Sequence, residues 1–102
     1  MSKKTIFSLI LYFCVVSVYS QNLKRCPQTT SKEAAKKTEE AEKLFKSVKN
    51  YEDAVEMCNE AIEADSTFAK PYLLMGDAAY RKKDFKLMAK AYKGLINVCP
   101  DA

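Results

Sequence analysis

Four cysteines, Cys14, Cys26, Cys58 and Cys99, are the residues of this 102-residue chain best suited to covalent or metal chemistry. The last three are 32 and 41 residues apart, and the chain has no histidine, so no familiar zinc spacing is present. No serine or cysteine stands in a context that marks a nucleophile. The carboxylates are spread along the chain instead of paired beside apolar clusters that would raise a pKa. A protein that is not an enzyme, with no metal and no cofactor, is expected.

Charge narrows the partners. The formal net charge is +4, but Lys3 and Lys4 lie in the first twenty residues, which hold no acid. Beyond it the basic side chains outnumber the acidic by only two, and the two signs alternate. A nucleic-acid footprint would need a clustered basic face, so no nucleic acid is expected.

The opening "MSKKTIFSLILYFCVVSVYS" has the pattern of a signal peptide: two lysines, an apolar stretch from Ile6 to Tyr19, then Val18 and Ser20 at the positions a signal peptidase reads. Cleavage after Ser20 is expected, with Gln21 as the new N-terminus and export as the consequence. The stretch is short for a membrane span of about 20 apolar residues. Cys14 follows Phe13 and Cys26 follows Arg25, neither the small residue that lipid attachment requires. Membrane contact is therefore expected only through this segment or a partner. Cys26, Cys58 and Cys99 remain, an odd number, which leaves at least one free or intermolecular thiol. Cys58 falls on an apolar helix stripe, where a buried thiol is expected. Cys26 and Cys99 each precede a proline at opposite ends of the mature chain. A bridge between them is one connectivity that the sequence leaves open.

Helices must position whatever chemistry exists. After a linker containing Pro27, Thr30 and Glu33 form a capping box, and the helix is expected to run through Val48 with Ala41, Leu44, Phe45 and Val48 inward. Glu33–Lys37, Glu39–Lys43 and Glu42–Lys46 are spaced for i,i+4 ion pairs of about 0.3 kcal/mol each. Asn50 caps a second helix with the stripe Tyr51, Ala54, Val55, Cys58, Ala61 and Ile62. A third opens at Pro71 and runs to Lys82. Asp84 caps a fourth with the stripe Phe85, Met88, Ala89, Tyr92, Leu95 and Ile96, stopped by Pro100. The last two stripes match pair by pair at an offset of 34, as do the caps Asn50 and Asp84 and the turn lysines Lys49 and Lys83. The chain contains an internal repeat.

A 34-residue helix–turn–helix period resembles the tetratricopeptide repeat. In the second unit, 69–102, Tyr72 takes the aromatic place of the first helix, Met75 and Gly76 the Leu-Gly pair, and Tyr80 falls one residue past the usual tyrosine. Asp84 and Phe85 fill the turn, Tyr92 and Leu95 the apolar places of the second helix, and Pro100 the closing proline. The first unit, 35–68, keeps Phe45, Tyr51, Ala54, Ala61 and Asp65, but has Thr38, Glu42 and Ser66 where the aromatic, glycine and proline would stand. The resemblance implies an all-α fold: tandem helix–turn–helix units in a right-handed superhelical α-solenoid, behind a signal peptide (1–20) and a linker with an N-terminal helix extension (21–34). It also implies that Gly76 marks a close crossing of helix backbones, which offsets its cost of roughly 1 kcal/mol relative to Ala. Gly94 reads as a weak spot in the fourth helix.

Members of that family are binding scaffolds whose first helices line a groove for a peptide or a partner's helix. Its groove positions fall on Lys36, Glu39, Lys43 and Lys46 in the first unit and on Lys70, Leu73, Asp77, Tyr80 and Arg81 in the second. Glu39, Leu73 and Asp77 stand where a chaperone-tail clamp needs lysine or asparagine, so that ligand is not implied. The remaining face suits a partner with both apolar and acidic character, although Leu73 and Tyr80 equally suit contact with a neighbouring helix. Repeats of this kind bury their faces against neighbours. With two of them, the fourth helix is expected to expose part of Tyr92 and Leu95, to be covered in a homodimer or by missing C-terminal repeats. In layout the chain also resembles the front of Bacteroidetes envelope proteins, in which such repeats precede a β-propeller-like region and an OmpA-like peptidoglycan-binding domain. That layout implies a periplasmic or outer-membrane-associated scaffold that recruits other envelope proteins. The alternative is a truncated N-terminal module of such a larger protein, with none of the peptidoglycan-binding residues in this stretch.

Overall fold

The computed structural model describes residues 26–101. The expected signal peptide and residues 21–25 of the linker lie outside the described residues. Four α-helices follow one another: α1 (Lys32–Leu44), α2 (Tyr51–Ala64), α3 (Ala69–Lys82) and α4 (Phe85–Val98), with a 3-10 turn at Val48–Asn50. There is no strand among the described residues, so the all-α class holds. Helix α1 packs on α2 and α3 on α4, while α3 also packs on α2 and touches α1.

The start of α1 differs from the expected capping box. Ser31, not Thr30, is the N-cap, and its hydroxyl accepts from the Ala34 N–H at 3.1 Å. The cause lies upstream. The Thr29 hydroxyl donates to Asp65 Oδ2 at 2.7 Å and accepts from the Ser31 N–H at 3.0 Å, which keeps the chain extended through Ser31. The far end also falls short of Val48. Lys46 and Ser47 bond back to Lys43 and Leu44 in the tighter i→i−3 manner, which closes the last turn of a helix. Val48 is consequently 82% exposed, and the inward face is Ala34, Thr38 and Ala41. Thr38 is tolerated there because its hydroxyl donates to the Ala34 carbonyl at 2.7 Å. Of the three expected i,i+4 pairs, Glu39–Lys43 forms at 3.7 Å, while Lys37 reaches Glu60 on α2 at 3.4 Å and Glu42 reaches Lys70 on α3 at 3.0 Å. Tertiary packing redirects those charges.

Helix α2 buries Tyr51, Ala54, Cys58 and Ala61 as expected, although the Asn50 side chain makes no cap bond. Helix α3 starts two residues before Pro71, and the Ala69 N–H is satisfied by the Pro27 carbonyl at 3.2 Å. It ends at Lys83, whose left-handed backbone (φ 65°) lets the Asp84 N–H reach the Ala79 carbonyl at 2.8 Å. Asp84 then caps α4 by accepting from the Leu87 N–H at 3.3 Å.

Two clusters make the core. Ala41, Cys58, Met75 and Ala91 join all four helices, with Val55, Ile62 and Leu74 packed around them. Cys26, Ala69, Leu95 and Cys99 form the other, with Tyr72, Leu73 and Tyr92 against it. Cys26 and Cys99 are disulfide-bonded across 73 residues, so the segment before α1 is stapled to the end of α4. Cys58 is the free, buried thiol.

Both glycines meet aromatic rings, which corrects the expectation for each. A Cβ on Gly76 would clash with the Tyr92 ring, so the close approach is ring to backbone and not backbone to backbone. A Cβ on Gly94 would lie 2.5 Å from Tyr72 Cδ1, so this glycine is a socket and not a weak spot. The two ring–glycine contacts are reciprocal across α3 and α4. Hydroxyl bonds fix both rings, Tyr72 donating to the Ser66 carbonyl at 2.8 Å and Tyr92 to Asp77 Oδ1 at 2.6 Å. On the outer surface of α4, Tyr92 is partly exposed as expected, but Leu95 is buried, and Phe85 (57%) and Ile96 (55%) of the apolar stripe are exposed.

Candidate functional site

The turn at 45–51 and the end of α3 meet at one side of the molecule. Phe45 caps the C-terminus of α1, and Tyr51 opens α2 directly after the 3-10 turn. Their rings lie 6.3 Å apart, tilted by 59°. From α3, the Lys82 ammonium stands 4.2 Å from the Tyr51 ring centroid, a cation–π distance. The Tyr51 hydroxyl donates to Asp84 Oδ2 at 3.3 Å. Burial, and then the Asp84 charge and hydrogen bond, raise the Tyr51 pKa above 10.0, which keeps the phenol a neutral donor. One carboxylate thus caps α4 and ties the second unit to the first.

A recess of about 200 Å³ opens beside this cluster, lined by Phe45, Lys46, Ser47, Val48, Tyr51, Ala78, Arg81 and Lys82. Its floor is apolar and aromatic, and its charged lining is three bases without an acid. Such a site fits a bulky apolar side chain with negative charge next to it.

Two of the expected groove residues, Lys46 of the first unit and Arg81 of the second, meet in this recess. Asp77, Tyr80 and Arg81 line a second, shallow depression on α3, with Tyr80 63% exposed. Lys36, Glu39 and Lys43 are exposed on α1. Lys70 is paired with Glu42, which links α1 to α3 on this face. Leu73 lies apart from them, half-buried against the disulfide cluster. Asp77 is engaged by the Tyr92 hydroxyl.

Among the residues expected to be structural, Tyr51, Ala54, Ala61 and Gly76 are buried, whereas Tyr72 and Tyr92 are half-buried and Phe85 and Pro100 exposed. Phe45, Val48, Tyr51, Ala78 and Lys82 line the recess but were not expected in a site. Apolar periodicity assigns Phe45 and Val48 to a core stripe. Phe45 is half-buried and packs against the Ala41–Cys58–Met75–Ala91 cluster while also lining the recess, whereas the early end of α1 leaves Val48 exposed.

Burial also shifts the pKa of two titratable side chains that lie away from the recess. Burial pushes the Cys58 thiol up to about 12, so it stays protonated and enclosed. Burial and then the Asp77 hydrogen bond push the Tyr92 phenol up to about 12. Among the described residues no group of three or more His, Cys, Asp or Glu could hold a metal, and no helix is long and apolar enough to cross a membrane. No protein-family model, no curated protein and no solved structure matches this chain.

Proposed function

We propose that this protein is an exported, non-catalytic scaffold of tetratricopeptide type that binds a partner polypeptide along α1 and α3. The partner places an apolar side chain in the Phe45–Val48–Tyr51 recess and its acidic neighbours against Lys46, Arg81 and Lys82. The observation that carries this reading is the convergence of bases from both units on one apolar floor. The internal 34-residue period supports the family assignment, and the signal-like N-terminus supports export. The Cys26–Cys99 disulfide supports an oxidising compartment such as the periplasm, where the protein would recruit other envelope components.

Peptide-display selection on the full chain tests the reading. Enriched sequences should pair a bulky apolar residue with acidic neighbours. Lys46→Glu with Arg81→Glu should weaken the best of them by about tenfold or more, with strong salt dependence. Enrichment of basic or wholly apolar sequences, or binding indifferent to the double substitution, overturns it.

A further inference from the structure

The outer side of α4 carries an apolar stripe without a covering element among the described residues. Phe85, Ala89 and Ile96 are all exposed and lie within about a quarter-turn of one another on the helix. The molecule itself displays what such a stripe packs against. Their counterparts 34 residues earlier, Tyr51, Val55 and Ile62, are buried or half-buried on α2. There α3 supplies Leu74 and Met75 to the cluster holding Val55 and Ile62. In the first unit, then, α3 helps to cover this face with the aliphatic side chains Leu74 and Met75, in a cluster that α1 and α4 also join.

Charge separates the two faces and selects the occupant. Helix α2 carries Glu52, Asp53, Glu56, Glu60 and Glu63 and no base, whereas α4 carries Lys86, Lys90 and Lys93 and no acid. Lys86 and Lys93 fall about a quarter-turn to one side of the bare stripe. A second copy fits poorly. The exposed side of α1 is dominated by charges such as Glu33, Lys36, Glu39 and Lys43, and pairing α4 with itself brings three lysines from each copy to one seam without a carboxylate from that helix.

From this we infer that the α4 face docks a helix of another protein, amphipathic, with an aliphatic ridge flanked by carboxylates. The ridge covers Phe85, Ala89 and Ile96, and the carboxylates meet Lys86 and Lys93. The site is separate from the Lys46–Arg81 recess.

Two synthetic helices of about 16 residues, sharing one Leu/Met/Ala ridge but flanked by glutamates or by lysines, test this on the full chain. Fluorescence anisotropy should show the glutamate helix binding about tenfold or more tightly than the lysine helix. Phe85→Ser with Ile96→Ser should abolish that preference without lowering the melt, since both side chains are exposed. Lys46→Glu with Arg81→Glu should leave it intact. Equal binding of both helices, no binding, or loss through the Lys46–Arg81 variant overturns the inference. A dimer in sedimentation equilibrium that Phe85→Ser with Ile96→Ser dissociates overturns it in favour of a second copy.

Discussion

The two helical hairpins, α1–α2 and α3–α4, obey the same period but bring their helices together differently. In the second hairpin Tyr72 sits over Gly94, and Tyr92 over Gly76. Subtracting 34 gives Thr38 opposite Glu60, and Cys58 opposite Glu42. The first hairpin has no ring facing a glycine: Thr38 and Cys58 are small and buried, while Glu60 pairs with Lys37 and the exposed Glu42 with Lys70. Small side chains at these places do not require a glycine opposite them, whereas a tyrosine ring at interior packing density does.

The largest expected effect tests whether the hairpins stand independently. Cys26→Ala with Cys99→Ala removes a cross-link spanning 73 residues. Chain-entropy arguments put the loss at about 4 kcal/mol, read from the urea midpoint. Hydrogen exchange in the variant should rise more in α4, which has no outer neighbour among the described residues, than in α2. A uniform rise would break the distinction between covered and uncovered hairpin.

A double-mutant cycle sharpens the packing argument. Gly94→Ala alone should cost about 2 kcal/mol, since the Tyr72 ring must give up its bond to Ser66 to move aside. In a Tyr72→Thr background, which copies the first hairpin's small residue, the same substitution should stabilise by up to about 1 kcal/mol through helix propensity. A cost that stays the same in both backgrounds would refute reciprocal ring sockets. Gly76→Leu should likewise lower the melting temperature by several degrees, unless Tyr92 is first truncated.

The smallest effect lies at the join between the segment before α1 and the end of α2. Hydrogen bonds from Thr29 and then from Thr67 hold the Asp65 carboxyl below its ordinary 3.8. A depressed carboxylate pKa stabilises the fold above the unfolded value and loses that contribution as pH falls through the folded one. The wild type should therefore lose slightly more melting temperature than Asp65→Asn on acidification from pH 5 to below about 4. Parallel curves would remove the effect.

Much of the fold was legible residue by residue. The 34-residue recurrence placed Asp84 as a cap, and the Tyr51–Ala54–Cys58–Ala61 face was readable from its spacing alone, because helical period and capping chemistry are local. The recess was legible only in part. Lys46 and Arg81 could be named from the repeat, and Phe45 does pack on the core, but Val48 read as core because an apolar side chain at helical spacing has the same signature whether the helix continues or stops. Gly94 read as a defect because its reason stands on another helix.

The sequence by itself determined the number of helices, their approximate limits, the inward face of α2 and the buried thiol, all consequences of periodicity within a few turns. Only the tertiary structure decided that Cys26 joins Cys99, that Lys37 and Glu42 turn away from their own helix to other partners, that two tyrosines occupy two glycine sockets, and that Phe85 and Ile96 face outward. Each of these depends on which surfaces meet across tens of residues of chain. A stripe of apolar positions fixes which side of a helix is buried in general, but not which of its edges a neighbouring helix covers.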